Sequence, residues 1–314
     1  MKTKNFFRFG FLMIAAMTLT FAGCKKSDTT TPKGRTDTES MQQLTKDENN
    51  IESVTDQSCN DAQTELAILG KKSTLPGGGL CNAVATFSGN VNDTITIDIV
   101  YNGLNCNGSH FRTGHVIVKK RYSENWGQAG ATVIMILDNF TTMKVSTGKT
   151  LILNGTKHFQ NVSGHYIWEL DSTNVTEVQD RVWGTITAKF DDNSVRTWNI
   201  DRRRTFTGTL TQLVMTTEGL GVADGYTNLA TWGTNRNSEL FYSSITQAVV
   251  HKQVCNWNPC SGIIFHEIPA ASKSATITFG YDNNNNLITN GDCPSRYRID
   301  WVQNGVSGTF FLPL

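Results

Sequence analysis

Seven cysteines are the residues of this sequence best suited to covalent chemistry. One stands apart from the rest. Cys24 directly follows Ala22-Gly23, behind the apolar run of residues 11–19 (FLMIAAMTL), and Lys2, Lys4 and Arg8 lie before or at the edge of that run. A basic start, a short apolar stretch and small residues before a cut mark an export signal. Residues 1–23 therefore read as a signal peptide, and Cys24 as a thiol that is acylated and becomes the mature N-terminus, although Phe21 stands where Leu is usual. The apolar run is well short of the ~20 residues a spanning helix needs. Each buried CH₂ contributes ~0.8 kcal/mol, so one acyl chain holds a protein marginally and two or more hold it firmly. A membrane, reached through lipid on Cys24, is the first expected partner. Lys25 follows that cysteine; an Asp there marks inner-membrane retention in enteric bacteria, so the outer membrane is the expected address.

Setting Cys24 aside leaves Cys59, Cys81, Cys106, Cys255, Cys260 and Cys293. An even number in an exported chain points to disulfides. Cys81 and Cys106 flank one β unit and are expected to pair. A loop of that length contributes about 3.5 kcal/mol in the chain-entropy picture. Cys255 has two candidate partners, Cys260 and Cys293. Zinc is the other use of such cysteines, but no pair has the two-residue spacing of a zinc knuckle and an oxidising compartment disfavours it.

Non-covalent chemistry falls to aromatic and cationic side chains. Seven tryptophans are scattered along the chain, and exposed ones can stack on sugar rings. Trp126 sits in a loop-like Glu-Asn-Trp-Gly, and Trp183 lies opposite the apolar face of Val182 and Ile186. Arg202 and Arg204 share the strand face of Trp198, whereas Arg203 points with Asp201. These five residues, Trp126, Trp183, Trp198, Arg202 and Arg204, are the candidate ligand contacts; the competing reading is core packing for the tryptophans and a charged strand end for the arginines. Asp282, Asn284 and Asn286 have the alternate spacing of a calcium loop, but Leu287 stands where the sharp turn needs Gly and Cys293 where the bidentate Glu belongs. A polar hairpin tip fits better, so no metal is expected. There is no Gly-x-Ser-x-Gly elbow, no His-Glu-x-x-His and no phosphate-cradling Gly-Lys-Ser/Thr. No catalytic residue and no cofactor are assigned.

The elements that must carry these groups follow from periodicity. Residues 24–38 are polar and Thr-rich and form a flexible tether. Residues 39–70 place Met41, Leu44, Ile51 and Val54 near one helical face, as they do Cys59, Ala62, Leu66 and Leu69. One or two short helices are expected there, packed on the rest. Beyond Leu80 the period is two. Ile95, Ile97 and Ile99 share a face; so do Val182, Ile186, Ala188 and Phe190; so do Trp198, Ile200 and Phe206; so do Ala275, Ile277 and Phe279. Residues 131–137 (ATVIMIL) are apolar on both faces, as in a strand covered on both sides. Asn154-Gly155 and Asn304-Gly305 each separate two strand-like runs and read as two-residue hairpins. The expected fold of residues 80–314 is a large antiparallel β-sandwich or a long curved sheet.

An ordered series of short motifs supports that unity. Cys81 opens a strand; TITID (94–98) leads to an Asn/Gly loop and Cys106; then come RTGHVIV (112–118), LDNF (137–140), NGT (154–156) and RTW (196–198). A Cys-x-Trp, a Ser-Gly, TITFGY and Cys293 close the series over residues 255–293. With the acylation site, this resembles a family of uncharacterised Bacteroidetes lipoproteins over roughly residues 80–312. It departs at Ile97-Asp98-Ile99-Val100, where the family carries an acidic-Gly strand end. The resemblance implies a single fold and an envelope location, and no activity.

Charge narrows the partners. Loss of residues 1–23 removes Lys2, Lys4 and Arg8 and no acid, so 28 basic and 27 acidic residues become 25 against 27, a net −2. Nucleic acid, which calls for a basic stripe, is not an expected partner. The expectation is a lipid-anchored binding or scaffolding module of the cell envelope, with a glycan or an envelope protein as partner. A hydrolase that gathers dispersed carboxylates in one cleft is the alternative of a different class.

Overall fold

The computed structural model describes Ile51, Val54, Thr55 and residues 81–89, 94–172 and 174–314. Fifteen strands form one antiparallel sheet. They are β1 (Ala83–Ser88), β2 (Thr94–Leu104), β3 (His110–Arg121), β4 (Thr132–Lys144), β5 (Thr150–Asn161), β6 (Glu177–Phe190) and β7 (Val195–Thr209). β8 (Gln212–Gly219), β9 (Gly221–Ala223), β10 (Tyr226–Thr234) and β11 (Leu240–Lys252) follow, then β12 (Pro259–Ile268), β13 (Lys273–Tyr281), β14 (Arg296–Gln303) and β15 (Val306–Pro313). Nearly every strand pairs with its neighbour in sequence. Of the two architectures open from sequence, this is the single long sheet.

The exception lies between β7 and β11. β8 pairs with residues 202–209 of β7, and β10 with residues 197–200. Both also pair with β11. They are therefore two halves of one strand position, interrupted by an excursion. Leu220 still donates its N–H to Asp201 O, and then the chain makes the β9–β10 hairpin before Thr231 resumes the ladder opposite Ile200. Asp224-Gly225, both at positive φ, turn that hairpin.

One face of the sheet is buried along most of its length, and the residues of the edge strands β1 and β15 that pack on it are partly buried. A single row of paired residues runs Ile99, Val116, Leu137, Gly155, Ile186, Trp198, Gly233, Phe241. Its side chains are all nearly or fully inaccessible. Gly233 stands between Trp198 and Phe241, the two largest side chains of the row, and Gly155 between Leu137 and Ile186. A Cβ on Gly155 would lie 2.2 Å from Thr185 O, and one on Gly233 2.2 Å from Thr197 O. The row thus closes around Trp198 because Gly233 beside it carries no side chain. Ile51 belongs to the same core and Val54 packs on it; apart from these and Thr55, the helical segment expected over residues 39–70, like the expected signal peptide and tether, lies outside the described residues.

The period-two readings of β2, β6, β7 and β13 match their burial. Two readings need correction. Residues 131–137 are not covered on both sides: Met135 and Leu137 are buried, but Ile134 and Ile136 are half-exposed on the outer face. Asn154-Gly155 is no hairpin. It lies inside β5, where Gly155 at φ 144° allows the close approach of β6 beside a bulge in the β4–β5 register. Asn304-Gly305 does turn between β14 and β15. The cysteines form Cys81–Cys106 and Cys255–Cys293, leaving Cys260 as a thiol; Cys59 lies outside the described residues.

Ile186→Ala should destabilise the domain by about 2–5 kcal/mol. Ile134→Ala, on the wetter face, should cost about half that or less. Urea midpoints of the two variants test the assignment of faces; equal shifts would contradict it.

Candidate functional site

The long connections of the sheet lie at one end, together with the two-residue β7–β8 turn, and the other end carries connections of two to five residues. At the long-loop end, residues 122–131 join β3 to β4 and residues 162–176 join β5 to β6. Binding surfaces concentrate on loops held by a rigid scaffold, so the way these two are held matters.

Asn161, the last residue of β5 and 1% exposed, ties them together. Its Nδ2 donates to Trp126 O at 2.7 Å and to His165 O at 2.8 Å. The chain then reverses through Gly164 and His165, both at positive φ, and His165 N donates to Gly127 O at 2.8 Å. Gly127 is required because a Cβ there would stand 2.4 Å from the Tyr166 ring. The ring therefore packs against bare backbone, and its hydroxyl donates to the Asn125 side chain.

A short 3-10 turn, Ile167–Asp171, follows. With three residues per turn, Ile167 and Leu170 fall on one side. Both enter a second core with Val175, Val178, Phe206, Leu213, Met215 and Trp257. Trp168 and Glu169 are thereby turned outward. Glu169 Oε2 accepts the Tyr166 N–H at 3.2 Å and lies 2.9 Å from His165 Nδ1. The Trp168 indole stacks on Tyr166 with ring centres 4.1 Å apart and planes 15° from parallel. One indole face is covered and the residue is still 49% exposed. The other face is open to solvent.

The five residues expected to touch a ligand are distributed otherwise. Trp198 is fully buried in the main core. Arg204 makes a bidentate pair with Asp180, at 2.8 and 2.7 Å, on the same buried face, and Arg202 donates to Ala230 O there. The arginines are thus neither an exposed patch nor a solvated strand end, because the Trp198 face that carries them faces inward. Trp183 does lie on the outer face, but it stacks on His158 with ring centres 5.1 Å apart, and the Arg181 guanidinium, held by Asp201, sits 5.1 Å from its ring. Trp126 is half-buried against the main core and serves through its carbonyl. Of the five, only Trp126 borders the open stack. Trp168 was hidden in sequence among seven tryptophans; its non-alternating context, between Gly164-His165-Tyr166 and Glu169, is the signal that marks a loop.

A second hollow, about 580 Å³, opens at the other end of the outer face between Tyr226, Tyr242, Glu239, Leu240 and the Pro269–Ala271 turn. Tyr226, carried in by the β9–β10 hairpin, stacks on Tyr242 at 4.1 Å. The Tyr242 hydroxyl donates to Asp224, and that bond, with burial, pushes its pKa up to about 12. Burial alone raises Tyr297 to about 12. The Asp282 carboxylate, weighed above as a calcium ligand, accepts the N–H groups of Asn284 and Asn286 at 2.8 Å each, the bonding of a polar turn.

No family model, curated protein or solved structure matches the chain.

Two measurements follow from this geometry. Asp180→Ala strands a buried guanidinium and should cost about 3–5 kcal/mol, most of it recovered when Arg204→Met is added; a double variant as unstable as the single one would contradict this. Tyr242 and Tyr297 are raised from an ordinary value near 10. The folded state thus holds their protons more tightly than the unfolded one, so stability is intact below about pH 10 and is lost as pH climbs towards about 12. In an ultraviolet titration of tyrosinate, Asp224→Asn should bring Tyr242 back towards 10 and leave Tyr297 in place.

Proposed function

We propose that the chain is a lipid-anchored binding module of the cell envelope. Lipid on Cys24 holds it to a membrane, the polar residues 25–38 form the tether, and the long-loop end of the sheet meets the partner. The observation that carries the binding part is the Tyr166–Trp168 stack. Leaving a large indole half in water forgoes the stabilisation of burying it. Yet the Tyr166 ring on which it stacks and the His165 backbone before it are held by bonds with Asn125, Gly127, Asn161 and Glu169. Such prior ordering reduces the entropy lost when a partner binds. The anchoring part rests on the signal and the acylation site, with several acyl chains giving firm retention.

Cells grown with an alkyne-tagged fatty acid test the anchor. The wild-type chain should carry the tag and sediment with membranes, and Cys24→Ala should lose both properties. A tag that persists in Cys24→Ala would refute lipidation at this residue. Protease treatment of intact against permeabilised cells then reads the side of the membrane: cleavage on intact cells places the platform outside.

A further inference from the structure

We propose that the Trp168 platform is a sugar site, and that its ligand is a neutral hexose chain. The inference rests on the binding-module reading and names its ligand. The pyranose ring has an apolar C–H face and a rim of hydroxyls. It needs a flat apolar surface with hydrogen-bonding groups at the edge. The open face of Trp168, backed by Tyr166 at 4.1 Å, is such a surface. His165 and Glu169, 54% and 37% exposed at the side chain, stand beside it and offer a donor and a carboxylate acceptor. Asn125, bonded to the Tyr166 hydroxyl, adds an amide on a neighbouring loop. Aromatic rings with one apolar and one wet side are the usual anchors of partly hydrated contacts.

Charge and setting separate this occupant from others. Residues 122–131 and 162–176 contain Glu124, Glu169 and Asp171 and no Lys or Arg. An anionic membrane surface attracts basic segments and repels acidic ones, so the loops are poorly suited to lie on lipid. An anionic polysaccharide is disfavoured for the same reason. A protein contact is most apolar at its centre, whereas the surroundings of Trp168 are His165, Glu169 and Asp171, with Ile167 and Leu170 turned inward. A neutral sugar matches both the ring and its polar edge.

The mature lipoprotein in detergent is applied to an array of immobilised gluco-, manno-, galacto- and xylo-oligosaccharides, and hits are titrated. At least one neutral series should bind. Trp168→Ala should weaken binding roughly tenfold or more. Trp168→Leu, which keeps apolar bulk and loses the flat ring, should weaken it nearly as much. Trp183→Ala should leave it unchanged. In parallel, the lipoprotein is placed in vesicles of brominated phosphatidylcholine and phosphatidylglycerol, and emission is compared between wild type and Trp168→Ala. No emission from Trp168 should be quenched. The sugar site is overturned if no neutral oligosaccharide binds at millimolar concentration. Equal binding by both Trp168 variants overturns it as well, and so does bromolipid quenching of Trp168, which would make the indole a membrane contact. Each of these results leaves fatty-acid labelling at Cys24 as it was, so the anchored-module reading stands or falls separately.

Discussion

A β-strand must have its backbone groups bonded on both sides and its apolar face out of water, and those two demands shape this protein. Pairing of neighbours in sequence satisfies the first with short connections. The second is met by one contiguous core spread along the inner face from Ile97 to Ile299. Side-chain size is tuned where the face is most buried, with Gly233 between Trp198 and Phe241, because a dry core admits neither gaps nor overlap.

The same inner face carries polar groups, and their arrangement shows how a dry surface tolerates them. Arg204 and Asp180 meet in a two-bond pair between the main core and the second one, and Lys157 donates to Thr55 at 3.3 Å. Each bond offsets the cost of removing a charge from water. Buried ion pairs add little net stability, but they penalise any shift in strand register that would part the partners. Val178 and Phe206, beside the pair, belong to the second core that anchors Ile167 and Leu170. The inner face of the sheet thereby fixes the orientation of the turn that displays Trp168.

The outer face repeats the lesson with the opposite outcome. Trp183 and Tyr242 look available from strand alternation, yet cross-strand neighbours and the inserted hairpin occupy them. Gly221 lies against the Trp232 ring, where a Cβ would stand 2.4 Å away, so the excursion between β8 and β10 folds back over the sheet. An aromatic residue inside a strand acquires packing partners from both sides. One in a connection is free of that and can stay open, as Trp168 does.

The sequence by itself determined the mainly β class of this protein. Period-two alternation separates the inner from the outer residues of β2, β6, β7 and β13 because a strand's side chains point alternately to its two faces, whatever surrounds it. The pairing of Cys81 with Cys106 is equally local, because the two cysteines flank a single β unit. Tertiary structure alone decided the rest. Whether Asn-Gly turns the chain or lies inside a strand depends on the approach of a neighbour, as Thr185 O does over Gly155. Whether an arginine beside Trp198 is an exposed patch or half of a buried pair depends on which way that face turns. The exposure of Trp168 depends on Gly127, Asn125 and Asn161, which lie up to 43 positions away in sequence. No local pattern encodes contacts between residues so far apart, because they form only when the sheet brings the two loops to one end.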